Sequence, residues 1–182
     1  VSTDNNIITE MKLQPVGVVR STIKTPMMVT DKADLKLAER IEATKANRRR
    51  VKEAVSELVI DSRWEDLLDG IDGFSHILVL YWPHLLDPDR RNMRKVHPMG
   101  REDLPLQGIF ATCSPARPNP VLVSAVSLIA RKGNVLVVKG LDAVDGSPVI
   151  DVKPYSKSYL AVENLIVPAW MEQIQRELES SR

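Results

Sequence analysis

Between Gln107 and Val152 the chain alternates short apolar runs with turns crowded with Pro, Gly, Asp and Asn. The runs are Gln107–Thr112, Val121–Ala130, Val135–Gly140 and Pro148–Val152, all rich in Val, Ile and Leu. Such runs predict strands. Lys132-Gly133-Asn134 reads as a hairpin turn between the second and third. Strands this short bury their apolar side only by pairing with close neighbours, and closure into a barrel removes the unpaired edges. Upstream, Leu13–Arg20, Glu57–Asp61 and Phe74–Trp82 read as further strands, with Pro15 at an entry or edge position. The predicted class is mainly β: a small antiparallel β-barrel with an inserted long helix and a C-terminal helix.

The inserted helix is expected from Asp34 to Ser56, a segment without Pro or Gly. Thr30 and Asp31 can cap it. Leu35, Ala38, Ile41, Val51, Ala54, Val55 and Leu58 fall near helical spacing. Its middle carries Lys45, Arg48, Arg49, Arg50 and Lys52. Two readings stand: a solvated face paired with Glu39, Glu42 and Glu53, or a phosphate-contacting patch. Trp64–Asp69 reads as a turn of helix. Leu85–Pro105 reads as a long loop and a second basic surface, with Arg90, Arg91, Arg94, Lys95, His97 and Arg101. Pro168 suits the first position of a last helix, Ala169–Ser180, whose apolar stripe is Trp170, Ile174 and Leu178. Val162–Val167 leads into it as an apolar connector. The expected organisation is a flexible arm over 1–12, a barrel domain over 13–160 with a helical insertion at about 31–56, and a helical extension over 161–182.

The formal net charge of +1 favours no class of partner, so any nucleic-acid affinity must come from local clusters. Cys113 is the single cysteine, which excludes an internal disulfide framework and a multi-cysteine zinc site. No apolar stretch approaches the roughly 18 residues of a membrane span. Val1–Glu10 is polar and lacks a signal-peptide core. These features lead to an expectation of a cytoplasmic protein that holds no metal and enters no membrane. His76, His84 and His97 are spread over a strand, its end and a loop, a poor metal set. His76, inside an apolar run, reads more readily as a satisfied core residue than as a ligand. His84 follows Pro83 at a strand end, where functional side chains collect. No strand, Gly-rich loop and helix occur in that order, so Rossmann and P-loop nucleotide motifs are absent.

Two corners carry the chemical signal. Asp142 and Asp145 stand three apart in the turn Leu141–Pro148, with Asp151 beyond. They either shape the corner as Asx turns or form a rim for a cationic or hydroxyl-rich ligand. In Arg117-Pro118-Asn119-Pro120 each proline fixes φ, so Arg117 and Asn119 sit on a stiff mount.

Several motifs in order resemble the TsaA/TrmO family of tRNA N6-threonylcarbamoyladenosine methyltransferases, which use S-adenosylmethionine. They are Pro15–Ser21, Gly73-Phe74-Ser75-His76-Ile77, Gly108–Ser114, Arg117–Pro120 and Leu141–Tyr155. The resemblance implies a small β-barrel, a homodimer with cofactor pockets near the subunit interface, and tRNA as partner. It implies cofactor contacts at Lys24, Thr25 and Pro26, at His84 and Leu85, near Val123, and at Asp142, Ala143, Val144 and Asp145. Candidate catalytic groups are Tyr155, Asp142 and His76. Candidate substrate contacts are Arg117, Asn119, Lys153, Arg48, Arg49 and Arg50. Cys113 stands where the family has an arginine, and the family's Arg-Gln-Pro-Gly-like loop is not recognisable around Pro26. Three readings follow: a tRNA methyltransferase, a methyltransferase with a small-molecule or other non-tRNA acceptor, and an S-adenosylmethionine-binding module without turnover.

Overall fold

The computed structural model describes residues 11–26 and 37–179. Six strands close a barrel in the order β1–β2–β7–β6–β3–β8. Their ranges are β1 Gly17–Arg20, β2 Val55–Ile60, β3 His76–Tyr81, β6 Leu122–Lys132, β7 Val135–Lys139 and β8 Pro148–Pro154. Every neighbouring pair in the ring is antiparallel. β4, Lys95–Val96, and β5, Gln107–Gly108, pair as a separate short ribbon.

The period of two along each strand decides what faces inward. Leu58 and Ile60 on β2, Ile77, Val79 and Tyr81 on β3, and Leu136 and Val138 on β7 are buried in one cluster with Val19, Val126 and Val149. β6 and β7 form a hairpin with Lys132 opposite Val135, so Gly133-Asn134 makes the two-residue turn. The register of β6 shifts between Leu128 and Ala130, and that of β8 between its partners of Leu80 and Tyr81. Such bulges increase the local twist that closure demands. At Gly17 a Cβ would collide with the Val59 carbonyl, so β1 and β2 approach there only because the side chain is missing.

The helices depart from the expected bounds. α1 runs Leu37–Glu53, and Ser56 lies in β2, not in the helix. The Ala54 N–H still closes the last turn on Arg50, and from Val55 the apolar alternation of β2 takes over. Val55 and Leu58 therefore belong to a strand, and Leu58 is fully buried inside the barrel. Thr30, Asp31, Asp34 and Leu35 lie outside the described residues, as does much of the expected N-terminal arm. α2 is the single turn Lys157–Leu160 and α3 is Ala169–Glu179. Pro168 stands one residue before α3, where its carbonyl accepts from Met171 and Glu172.

Two other segments differ. Only Gln107–Gly108 of the expected strand Gln107–Thr112 is extended, and Ile109–Ala111 makes a 3-10 turn that buries Ile109. Leu85–Pro105 is not one loop: it holds 3-10 turns at Pro88–Asn92 and Pro98–Gly100 around β4. Arg101 leaves the expected basic surface altogether. It is buried, with its guanidinium on Asp103 and on Glu177 of α3. That pairing satisfies a charge that could not otherwise be buried, and it holds the C-terminal helix to the loop.

Candidate functional site

One end of the barrel gathers the segments that the sequence singled out. Antiparallel pairing brings together the end of β1, the start of β2, the end of β7, the end of β3 and the starts of β6 and β8. Lys24, His84, Leu85 and the turn Asp142–Asp145 continue from these strand ends, and Val123 is the second residue of β6. Thr25 and Pro26 follow Lys24 and are exposed. We call this end the mouth. A depression of about 540 Å³ opens beside it, edged by Arg20, Ser21, Lys24, Ser56 and Asp145 among others.

The turn Leu141–Ser147 is wired into the mouth. The Gly146 N–H donates to the Val19 carbonyl at 2.8 Å, and the Asp145 N–H to the Ile23 carbonyl at 2.8 Å. Gly146 adopts φ of +81°, a left-handed conformation that glycine takes without a Cβ penalty. Asp145 Oδ1 accepts from the Ser21 N–H at 2.9 Å and Oδ2 from Lys24 Nζ at 2.8 Å. These bonds hold the Asp145 carboxyl below its ordinary range, the lysine bond first and the Ser21 amide second. Asp145 is therefore a brace that fixes residues 21–24 against the turn. His84 Nδ1 lies 3.3 Å from Ser147 Oγ, and Ser147 is buried.

Asp142 behaves differently. Its carboxyl has no hydrogen-bond or ion-pair partner among the described residues, although Tyr81 donates its hydroxyl to the Asp142 main-chain carbonyl. Asp142 is exposed to solvent, and the protein close to its carboxyl pushes the pKa upward by partial desolvation. Tyr81 is buried, and its phenol is pushed up to about 12, by burial first and then by the charge of Asp142. Its oxygen also lies 3.5 Å from Ser124 Oγ. At neutral pH Tyr81 is a protonated donor.

The other candidates are placed elsewhere. His76 and Tyr155 meet at the far end of the β3–β8 ladder, where the Tyr155 N–H donates to the His76 carbonyl at 3.1 Å. β3 separates His76 from the mouth by five residue steps, about 16 Å at roughly 3.3 Å each. His76 is not a core residue: it is exposed, and its ring nitrogens lie 3.0 Å from Ser75 Oγ and 3.2 Å from Ser127 Oγ. Lys153 is exposed and paired with Asp151 at 2.6 Å. Arg117 turns inward on its own loop, donating to the carbonyls of Ser114 and Thr112, and so stiffens the stretch that contains exposed Cys113. Asn119 is exposed. On α1, Arg48, Arg49 and Arg50 are exposed, whereas Lys45 is buried and paired with Glu42 at 3.0 Å. Glu53 pairs instead with Lys139 of β7.

Tyr81, Ser21 and Ser147 are residues that sequence reasoning missed. Tyr81 had a signal: it continues the inward alternation Ile77, Val79, Tyr81, and a buried phenol needs a partner. Ser21 and Ser147 had none, because their partners lie on distant strands. No group of three His, Cys, Asp or Glu suited to a metal occurs among the described residues. No described helix is long and apolar enough to cross a membrane.

The fold is thus a closed six-stranded antiparallel barrel with a polar mouth at one end. The profile of the tRNA-methyltransferase O N-terminal domain matches residues 39–160, a span that takes in most of α1, and the chain belongs to that family of S-adenosylmethionine-dependent methyltransferases. A probable S-adenosyl-L-methionine-binding protein of Methanothermobacter thermautotrophicus is 44% identical over 146 residues, 80% of this chain and 90% of the relative. An S-adenosyl-L-methionine-binding protein of Archaeoglobus fulgidus is 37% identical over 155 residues, 85% of this chain and 96% of the relative. A mouse tRNA (adenine(37)-N6)-methyltransferase is 35% identical over 112 residues, 57% of this chain and 23% of that enzyme. A crystal structure of TrmO superposes with a TM-score of 0.64 at 23% identity, over 87% of this chain and 63% of that one. The chain thus spans nearly all of the two archaeal relatives but less than two thirds of the solved TrmO structure.

Proposed function

We propose that this protein transfers a methyl group from S-adenosylmethionine to N6 of threonylcarbamoyladenosine beside the anticodon of tRNA, and that the mouth of the barrel is where it does so. The observation that carries the reading is convergence. Four segments far apart in sequence, around Lys24–Pro26, His84–Leu85, Val123 and Asp142–Asp145, end at one rim. The residues present suit the donor. A carboxyl without a cationic partner answers a sulfonium charge, exposed Leu85 and Val123 offer apolar surface, and the rim is cross-braced by main-chain bonds.

The donor, when bound, supplies an activated methyl group and leaves as a neutral thioether. The protein's own work is then alignment and water exclusion. Asp145 keeps residues 21–24 at the rim, Gly146 lets the turn lie close to β1, and Arg117 keeps the Thr112–Pro115 loop in one shape. The exposed arginines Arg48, Arg49 and Arg50 sit on a helix whose C-terminal end is tied to β7 by Glu53–Lys139, near the strand end that leads to Asp142. Their exposure supports a role in meeting the phosphates of an RNA that enters the mouth. Exposed Val123 and Ile129 on β6 offer apolar side chains for a homodimer contact. A cytoplasmic location follows from tRNA as the acceptor.

The decisive experiment supplies the protein with methyl-labelled donor in the presence of threonylcarbamoylated tRNA and of a small-molecule extract. The label is expected in tRNA, and tRNA binding is expected to weaken as salt rises, by roughly 0.7–0.9 in logarithmic slope per phosphate contacted. Label only in small molecules favours the second reading, a non-tRNA acceptor. That reading draws on Cys113, which cannot make the paired hydrogen bonds of an arginine. Cofactor binding with no label transferred to any fraction would leave the module without turnover.

A further inference from the structure

Building on that methyl-transfer reading, we propose that the depression beside the mouth receives the threonyl arm of the acceptor base, with Arg20 on its carboxylate and Glu57 on its hydroxyl. The reaction itself demands such a place: the arm hangs on the nitrogen that takes the methyl group, so it must lie next to the point of transfer. The depression of about 540 Å³ shares Lys24 and Asp145 with the rim of the mouth. Another depression, of about 500 Å³ and lined by Pro15, Ser62 and Asn134 among others, lies at the far end of the barrel. Strand register builds the wall of the first. Arg20 on β1 stands opposite Glu57 on β2, and Glu57 opposite Val137 on β7, so a cation, a carboxylate and an apolar side chain form one row across three strands. Their chain neighbours Val19, Leu58, Leu136 and Val138 face the core, which turns the row outward. Val55, two residues before Glu57, joins the same face. The frame is fixed. Ser21 and Ser56 are buried, and Ser21 Oγ accepts from the Ser56 hydroxyl at 3.3 Å and from the Ile23 N–H at 3.1 Å. The Lys24–Asp145 pair closes one edge.

The row matches the arm group by group. Threonine carries a carboxylate on one carbon and a hydroxyl and a methyl group on the next. A guanidinium offers paired donors to a carboxylate. Lys24 already holds Asp145, which leaves Arg20 as the depression's cation for the arm. The half-buried Glu57 is an acceptor and takes the hydroxyl hydrogen. Val55 and Val137 offer surface to the methyl group. A backbone phosphate suits this wall poorly, because Glu57 repels it and the two valines give it no donor.

The test gives the intact protein methyl-labelled donor and tRNAs that differ only in the arm on the modified adenosine. One carries threonine, one its carboxamide, which lacks the negative charge, and one valine, which puts a methyl group in place of the hydroxyl. Transfer is followed at limiting tRNA, so the rate reports kcat/KM, and donor affinity is measured separately by calorimetry. The wild type is expected to prefer the threonine arm to its carboxamide by on the order of 10- to 100-fold, the span of a charge-assisted contact. Its preference for threonine over valine should be roughly tenfold. R20A should lose the first preference by slowing the threonine arm, while the carboxamide arm and donor affinity stay within about threefold of wild type, so that arginine and carboxylate are coupled. R20K keeps the charge but not the paired donors and should recover part of the loss. E57A should erase the preference for threonine over valine. The proposal is overturned if R20A slows the threonine and carboxamide arms equally, since Arg20 would then meet a phosphate or support the fold. A wild type that labels no modified tRNA overturns the methyl-transfer reading and the pocket with it. An active wild type that treats the arms alike overturns the pocket alone.

Discussion

The two ends of this barrel use their polar groups in opposite ways. At the end away from the mouth, Arg131 donates to the carbonyls of Gly133, Leu68 and Glu65 and reaches Asp69 at 3.1 Å. Arg63 is bidentate on Asp61, whose carboxyl is held down at about 2 mainly by that bond. Both nitrogens of His76 are within hydrogen-bonding distance of serine hydroxyls. These groups hold strands and 3-10 turns together and leave little for a ligand. At the mouth, Asp145 is engaged in the same structural way, but three residues earlier Asp142 is not. The mouth therefore keeps one exposed carboxyl without a hydrogen-bond or ion-pair partner among the described residues, where the far end ties its charges down.

The comparison can be tested in order of expected effect. The largest concerns the shared core, where the two ends should not differ. Ile77→Ala or Leu136→Ala, each removing a fully buried side chain, should cost about 2–5 kcal/mol in urea unfolding. Next, R131A should cost about 2 kcal/mol by removing charge-assisted bonds to main-chain carbonyls, yet leave the saturated rate per folded molecule unchanged. If R131A lowers that rate tenfold, the ends are coupled and the contrast fails. Third, D145A frees residues 21–24, so donor affinity should fall about tenfold while urea unfolding changes little, because the pair is exposed. The same pair sets a pH dependence. Because the Asp145 pKa is lowered on folding, its contribution is present above the unfolded carboxylate value and is lost as pH falls through the lower folded value. Donor affinity should therefore hold down to the ordinary carboxylate range and drop below it. The smallest effect is expected for H76A, about 0.5 kcal/mol in stability and within twofold in methyl transfer, because His76 sits at the satisfied end.

The segments that meet at the mouth were legible in the sequence. The turn Leu141–Pro148 stood out because Asp, Gly and Pro in that order impose a corner, and Lys24, His84 and Val123 came from the family resemblance. What stayed hidden was the division between Asp142 and Asp145. In sequence they are equivalent carboxylates three apart, and only the arrival of Ser21 and Lys24 from the segment after β1 makes one of them a brace. Arg101 shows the same limit. Among Arg90, Arg91 and Arg94 it reads as surface charge, and its burial depends on Glu177, which is 76 residues away. His76 failed in the other direction. Period two correctly put Ile77 and Val79 inside, and therefore should have put His76 outside.

The sequence by itself determined the barrel. Period-two apolar runs, the Gly133-Asn134 turn and the scarcity of long helical stretches leave antiparallel closure as the way to bury these strands, and such signals are local. It also determined where the rigid corners fall, because Pro and Gly act on their own φ. Where α1 ends and β2 begins is a decision of the tertiary structure: Val55 and Leu58 sit three apart, a helical spacing, but pairing with β7 makes the segment a strand, which puts them on opposite faces with Leu58 inside. The state of each charge at the mouth is another. A carboxylate is a brace or an open, solvent-facing group according to which distant donors reach it, and that depends on how the strand ends meet.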